Sequence, residues 1–136
     1  MLRCSVLSRA RGLTRRGAPQ FDGVGGNAVA LVDFNRGAQV VANEMRHLGE
    51  NGVILIGATE WVDGRAGTQP RRSTVAGNLI HHVGLYTKQS CAILSAVACE
   101  NTIEANVLFH GPRALINVVS CGVEQLSLRL LGIPDV

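Results

Sequence analysis

The sequence predicts an all-β solenoid, with short strands coiled on one another around a narrow core. Three observations predict it. A corner phrase recurs around Asn43, Asn78 and Asn106. The apolar residues are aliphatic, with 46% hydrophobic residues but only 4% aromatic ones. Sixteen glycines punctuate the 136 residues. In each copy of the phrase a β-branched residue stands three places before the Asn (Val40, Val75, Ile103). A larger apolar residue stands two places after it (Met45, Ile80, Leu108), and a glycine five or six places after it (Gly49, Gly84, Gly111). Self-similarity at tens of residues marks a repeat architecture whose units bury their apolar faces only by stacking.

Each element follows from the phrase. Apolar alternation on both sides of the Asn reads as a strand, a tight turn and a second strand. Asn suits the corner because it tolerates the left-handed backbone. Stacked Asn side chains also form hydrogen-bonded ladders. Val40, Val75 and Ile103 are then expected in one inward column, and Met45, Ile80 and Leu108 in another. The phrase recurs after 35 residues and then after 28, so one rung carries a larger loop. That loop is placed at Ala58–Arg72 (ATEWVDGRAGTQPRR), where Asp, Arg, Gly and Pro favour turns over strand pairing.

The chain divides into three parts: a basic segment over 1–23, stacked rungs over 24–119, and a divergent tail over 120–136. Arg3, Arg9, Arg11, Arg15 and Arg16 all precede the first acid, Asp22. An Arg-rich, Ser-containing, acid-free start is like a mitochondrial transit peptide, but the favoured reading is the remnant of an earlier rung followed by a basic loop. It has no clear secretory signal. Nucleic acid is an unfavoured partner, since no aromatics interleave the basic run and the rest is nearly charge-balanced. No apolar run approaches the length of a membrane span. The one amphipathic helical pattern is VEQLSLRLLGI in the tail. Cys4, Cys91, Cys99 and Cys121 form no CxxC pair and no zinc spacing; Cys91 and Cys99 read as small core residues in apolar strands.

The pieces GGNAVAL, DFNRGAQVVANE, GTQPR, GNLIHHVGLYTKQS and NVLFHGPRALIN, between Gly25 and Asn117, resemble the right-handed parallel β-helix proteins of the pectin-lyase-like superfamily. The resemblance covers about two thirds of the chain. It implies a right-handed parallel β-helix of about four rungs, a carbohydrate-associated role and, for a full-length relative, an extracellular site. The chain departs from the pattern after Asn117, where relatives continue with a Gly- and Asp-rich turn and further rungs. It resembles a fragment or truncated product, which leaves open whether any activity is retained.

Three groups of residues carry candidate chemistry. LIHHVGLYTKQS holds His81, His82, Tyr86 and Lys88, the single lysine of the chain. Strand neighbours point to opposite sides, so His81 and His82 are not expected to share the core, and one is placed on the outer groove. HGPR holds His110 and Arg113 at the equivalent turn one rung later. Stacking brings the two turns within about 5–10 Å, since strands lie about 4.8 Å apart. Elimination on a uronic polysaccharide needs a base for the C5 proton and a cation for the carboxylate. Some β-helix lyases use Lys and Arg so, and the resemblance implies Lys88 and Arg113 for these roles, near His82. Tyr86, His110 and Arg65 are the candidate substrate contacts. The residues by themselves favour plainer roles, with Arg113 fixing its own turn through backbone carbonyls and Lys88 a solvated loop lysine. In the long loop, Glu60 and Asp63 offer oxygens that suit calcium, or belong to an ordinary turn beside Gly64 and Arg65.

Other reactions are poorly served. Glycoside hydrolysis needs paired carboxylates in a groove, whereas Glu100 and Glu104 flank a strand as a solvated edge. No nucleophile elbow, P-loop or dinucleotide fingerprint occurs. Three functions stay open: a polysaccharide-lyase-like enzyme, a non-catalytic scaffold that binds glycan or protein along one face, and a truncated product with no activity of its own.

Overall fold

The computed structural model describes residues 20–58, 68–119 and 127–129. These carry twelve short strands: β1 Gln20–Asp22, β2 Val29–Val32, β3 Gln39–Val41, β4 Glu44–Arg46, β5 Val53–Ile56, β6 Thr74–Ala76, β7 Leu79–His81, β8 Ile93–Ala96, β9 Thr102–Glu104, β10 Val107–Phe109, β11 Ile116–Val119 and β12 Ser127–Arg129. The chain visits three sheets in rotation, and each sheet holds every third strand: β1-β4-β7-β10, β2-β5-β8-β11 and β3-β6-β9-β12. Every pairing is parallel. Three parallel sheets stacked in register are compatible with a parallel β-helix solenoid. Stacked strands also lie outside 24–119, since β1 pairs with β4 and β12 with β9. Among the described residues no helix is long and apolar enough to cross a membrane.

Register makes the core. Val40 faces Val75, and Val75 faces Ile103. Phe21, Met45, Ile80 and Leu108 form the second column, in which Met45 and Ile80 are wholly buried and Leu108 partly so. Val29, Val53, Ile93 and Ile116 form a third. Successive side chains of a strand point to opposite faces, so a three-residue strand such as β3, β6 or β9 gives the core only its middle residue. Aliphatic residues fill so narrow an interior without the volume of aromatics. Cys91 and Cys99 are buried free thiols, as small core residues are.

Asparagine holds the corners. The Asn78 Oδ1 accepts the backbone N–H of Asn43 at 3.0 Å and its Nδ2 at 2.9 Å. Asn106 Oδ1 accepts the same pair from Asn78, at 3.0 and 2.9 Å. The left-handed residue is not the Asn, however, but its predecessor: Ala42, Gly77 and Ala105 have φ of 57, 62 and 52°. The reason is directional. The preceding residue turns the chain, which leaves the Asn free to aim its amide along the stack.

Sequence pattern did not disclose two further corner ladders. Asn27 Oδ1 accepts from the N–H and Nδ2 of Asn51, and Asn51 Oδ1 accepts from the Cys91 N–H at 2.8 Å. At the remaining corner, Asn101 Oδ1 accepts the Ser73 N–H at 2.9 Å and its Nδ2 donates to Pro70 O.

The expected loop at 58–72 is shorter at its C-terminal end. Pro70 is buried, and Arg71 bridges Arg36 on one coil and Cys99 on the next. Thr68 Oγ1 donates to Ala58 O at 3.1 Å, which ties the two flanks together. Glu60, Asp63 and Arg65 lie outside the described residues. Glu100 is not simply a solvated edge either, because Arg71 and Arg72 both bond its carboxylate. Hydrogen bonds from Arg71, then from Arg72, hold that carboxyl down at about 2.

Candidate functional site: an imidazole and aromatic face

All four histidines of the chain gather on one side of the stack. Register explains it. Asp22, Arg46, His81 and Phe109 end β1, β4, β7 and β10 in one outward column. The residues that follow, Gly23, His47, His82 and His110, all have positive φ, at 72, 52, 53 and 51°. Ordinary strand geometry would send His81 and His82 to opposite sides. The left-handed turn at His82 instead puts both on the outer surface. Their Nδ1 atoms lie 2.7 Å apart, so one ring donates and the other accepts.

The rings form a continuous array. His81 stacks on Phe109, with centroids 4.7 Å apart and planes at 8°. The His82 ring lies 4.6 Å from His110 on one side and 5.3 Å from His47 on the other. Below them Asp22 joins His47 Nδ1 at 2.8 Å and Arg46 Nε at 2.9 Å. Hydrogen bonds from His47, then Arg46, pull the Asp22 carboxyl below its ordinary value. Desolvation, then electrostatic influence from the neighbouring His82 ring, lowers His81 below the usual imidazole value of 6.5; His47 and Arg46 add to this, and Glu44 opposes it. His81 is therefore neutral at neutral pH.

Past the histidines the chain dips inward at Leu48 and Val83, both buried, and then forms the loop 84–90. The loop is hung on Gly49, whose carbonyl accepts the N–H of Tyr86 at 3.0 Å and of Thr87 at 3.2 Å. The Tyr86 ring lies against Gly49, yet the residue is 78% exposed. Lys88 Nζ donates back to Gly84 O at 3.2 Å and Leu85 O at 3.4 Å, so this lysine pins its own loop. The HGPR turn meets the loop from the next coil. Pro112 packs on Gly84, and Arg113 Nη1 donates to Gln89 Oε1 at 2.6 Å. Arg113 thus bonds a side chain across coils, not the carbonyls of its own turn.

The structure brings together His82, His110, His81 and Phe109 in one array, and Tyr86, Lys88 and Arg113 in two touching loops. Sequence reading missed His47, Asp22 and Phe109. His47 was findable, because it stands in the same place after Asn43 as His82 does after Asn78 and His110 after Asn106. Among the described residues no three His, Cys, Asp or Glu side chains are grouped to hold a metal ion.

The fold and the face define an all-β chain of stacked parallel sheets with an imidazole and aromatic flank. Compared with known proteins, the chain matches no family model, no curated protein and no solved structure.

Proposed function

We propose that the chain is a right-handed parallel β-helix domain of the pectin-lyase-like type whose flank binds an acidic glycan without cleaving it. The observation that carries the reading is a pair of outward-facing groups: the rings of Phe109, His82 and His110 in one, and exposed Tyr86 with Lys88 and Arg113 on two touching loops in the other. Flat rings suit the apolar faces of sugar rings, each an amphipathic surface with a polar edge. The planar fork of Arg113 suits a uronic carboxylate. A concave groove with a free base would favour catalysis; here the Lys88 ammonium donates to two carbonyls of its own loop. An amine turned back onto its own loop is poorly placed to take the C5 proton.

The test is calorimetric titration with oligogalacturonate and alginate oligomers, with a neutral glucan as control. Binding to the acidic oligomers, weakened at least tenfold by Tyr86→Ala and by Arg113→Ala, supports the reading. Absence of binding to every uronic oligomer sinks it. The same mixtures are followed by ultraviolet absorbance for unsaturated products. An absorbance that rises with the wild type and stays flat with Lys88→Ala would install the lyase reading, with Lys88 as base.

A further inference from the structure

We propose that His81 and His82 form a chelating site for a divalent copper ion through their two Nδ1 atoms. The proposal is independent of glycan binding. Its foundation is the left-handed backbone at His82, φ 53°, which sets adjacent imidazoles side by side on the outer surface. Two neutral imidazoles are good ligands for first-row metals.

The separation selects the metal. With metal–nitrogen bonds of about 2.0–2.1 Å, a right-angled bite needs nitrogens about 2.9 Å apart, and a tetrahedral bite about 3.3 Å. The two Nδ1 atoms stand 2.7 Å apart, closer to the first figure. Tetragonal copper therefore fits with a small opening of the pair, and tetrahedral zinc needs a larger one. Copper also leads the ordinary affinity order of divalent ions.

In the metal-free pair one Nδ1 carries a proton and the other accepts it. To bind, the donating ring moves that proton to Nε2, its ring turns so that both lone pairs converge, and no net proton is lost. His81 is held for this by its stack on Phe109. His82 is flanked by the rings of His110 and His47.

The full chain is titrated with copper(II) sulfate in a non-coordinating buffer and followed by electron paramagnetic resonance. One equivalent should give a tetragonal spectrum with coupling from two imidazole nitrogens. His81→Phe keeps the stack on Phe109, and His82→Gln keeps a polar corner; each should weaken binding at least tenfold. A double variant that binds copper as tightly as the wild type overturns the site, as does zinc that displaces copper at equal concentration. Paramagnetic broadening in the wild type needs no variant to fold. It should centre on the His81 and His82 ring protons, and broadening centred instead on Cys4, Cys121 or His110 contradicts the assignment.

Discussion

Asn78→Ala should be among the most damaging single changes in the chain, though it removes no apolar surface. The side chain is 1% exposed and makes four bonds. Its oxygen accepts the Asn43 N–H and Nδ2; its amide donates to Val40 O and Asn106 Oδ1. Some of these partners keep another bond. Asn43 Nδ2 also donates to Val41 O at 3.2 Å, and Asn106 Oδ1 also accepts the Asn78 N–H. The Val40 carbonyl keeps its place in the parallel ladder with β6, so the Asn43 N–H is the group left without a partner. One such buried group costs about 1–3 kcal/mol. At about 4 °C per kcal/mol for a domain of this size, Tm falls by about 4–12 °C. Thermal and urea unfolding followed by circular dichroism read it, with Asn35→Ala as control. Asn35 bonds Val32 O from an exposed side chain, so its loss should stay under about 1 kcal/mol. An Asn78→Ala shift no larger than that of Asn35→Ala refutes the ladder as a source of stability.

Three further predictions follow from the same geometry. A Cβ on Gly49 would meet the Gly25 carbonyl and the Tyr86 ring, so Gly49→Ala should lower the urea midpoint far more than Gly77→Ala. At Gly77 the space is open, and alanine already adopts the same left-handed turn at Ala42 and Ala105, so the cost there is about 1 kcal/mol; equal midpoints would contradict this. Glu100 has its folded pKa depressed to about 2 from an ordinary 4.5, so its contribution is present above about pH 4.5 and is lost as pH falls towards 2. A carbon-13 titration of its carboxyl should show the low midpoint, which should rise in Arg71→Gln, and a wild-type midpoint near 4.5 would contradict the pairing. Burial raises the Cys91 thiol above 9.0 against smaller pulls from the Asn117 backbone and the Arg113 charge, so iodoacetamide at pH 8 should spare Cys91 in the native protein and modify it in urea. Peptide mass spectrometry reads the difference, and equal modification in both states would overturn it.

The inward columns were legible because repeat offsets in sequence are register offsets in space. Val40, Val75 and Ile103 keep one distance from their Asn, and stacking turns that distance into contact. The second ladder was harder to see. Its rungs at Asn27 and Asn51 are 24 residues apart, and in the third coil Cys91 stands where an Asn would repeat the pattern. There the Cys N–H takes over the bond, and a backbone donor leaves no trace in composition. The histidine face was half-legible. Strand alternation correctly kept His81 and His82 from sharing the core, but it assumed extended backbone through His82. A left-handed histidine is a local exception that only the corner geometry reveals. The roles of Lys88 and Arg113 were beyond sequence for a simpler reason. Whether a cation faces solvent or its own loop depends on side-chain bonds that spacing does not encode.

The central claim is the register of the coils, and methyl-to-methyl nuclear Overhauser contacts measure it directly. In a chain labelled at the Val, Leu, Ile and Met methyls, Val40 should contact Val75, and Val75 should contact Ile103. Met45 should contact Ile80, and Ile80 should contact Leu108. Contacts that pair these residues with other partners, or a spectrum in which Val40 and Val75 show none, would contradict the stacked parallel sheets.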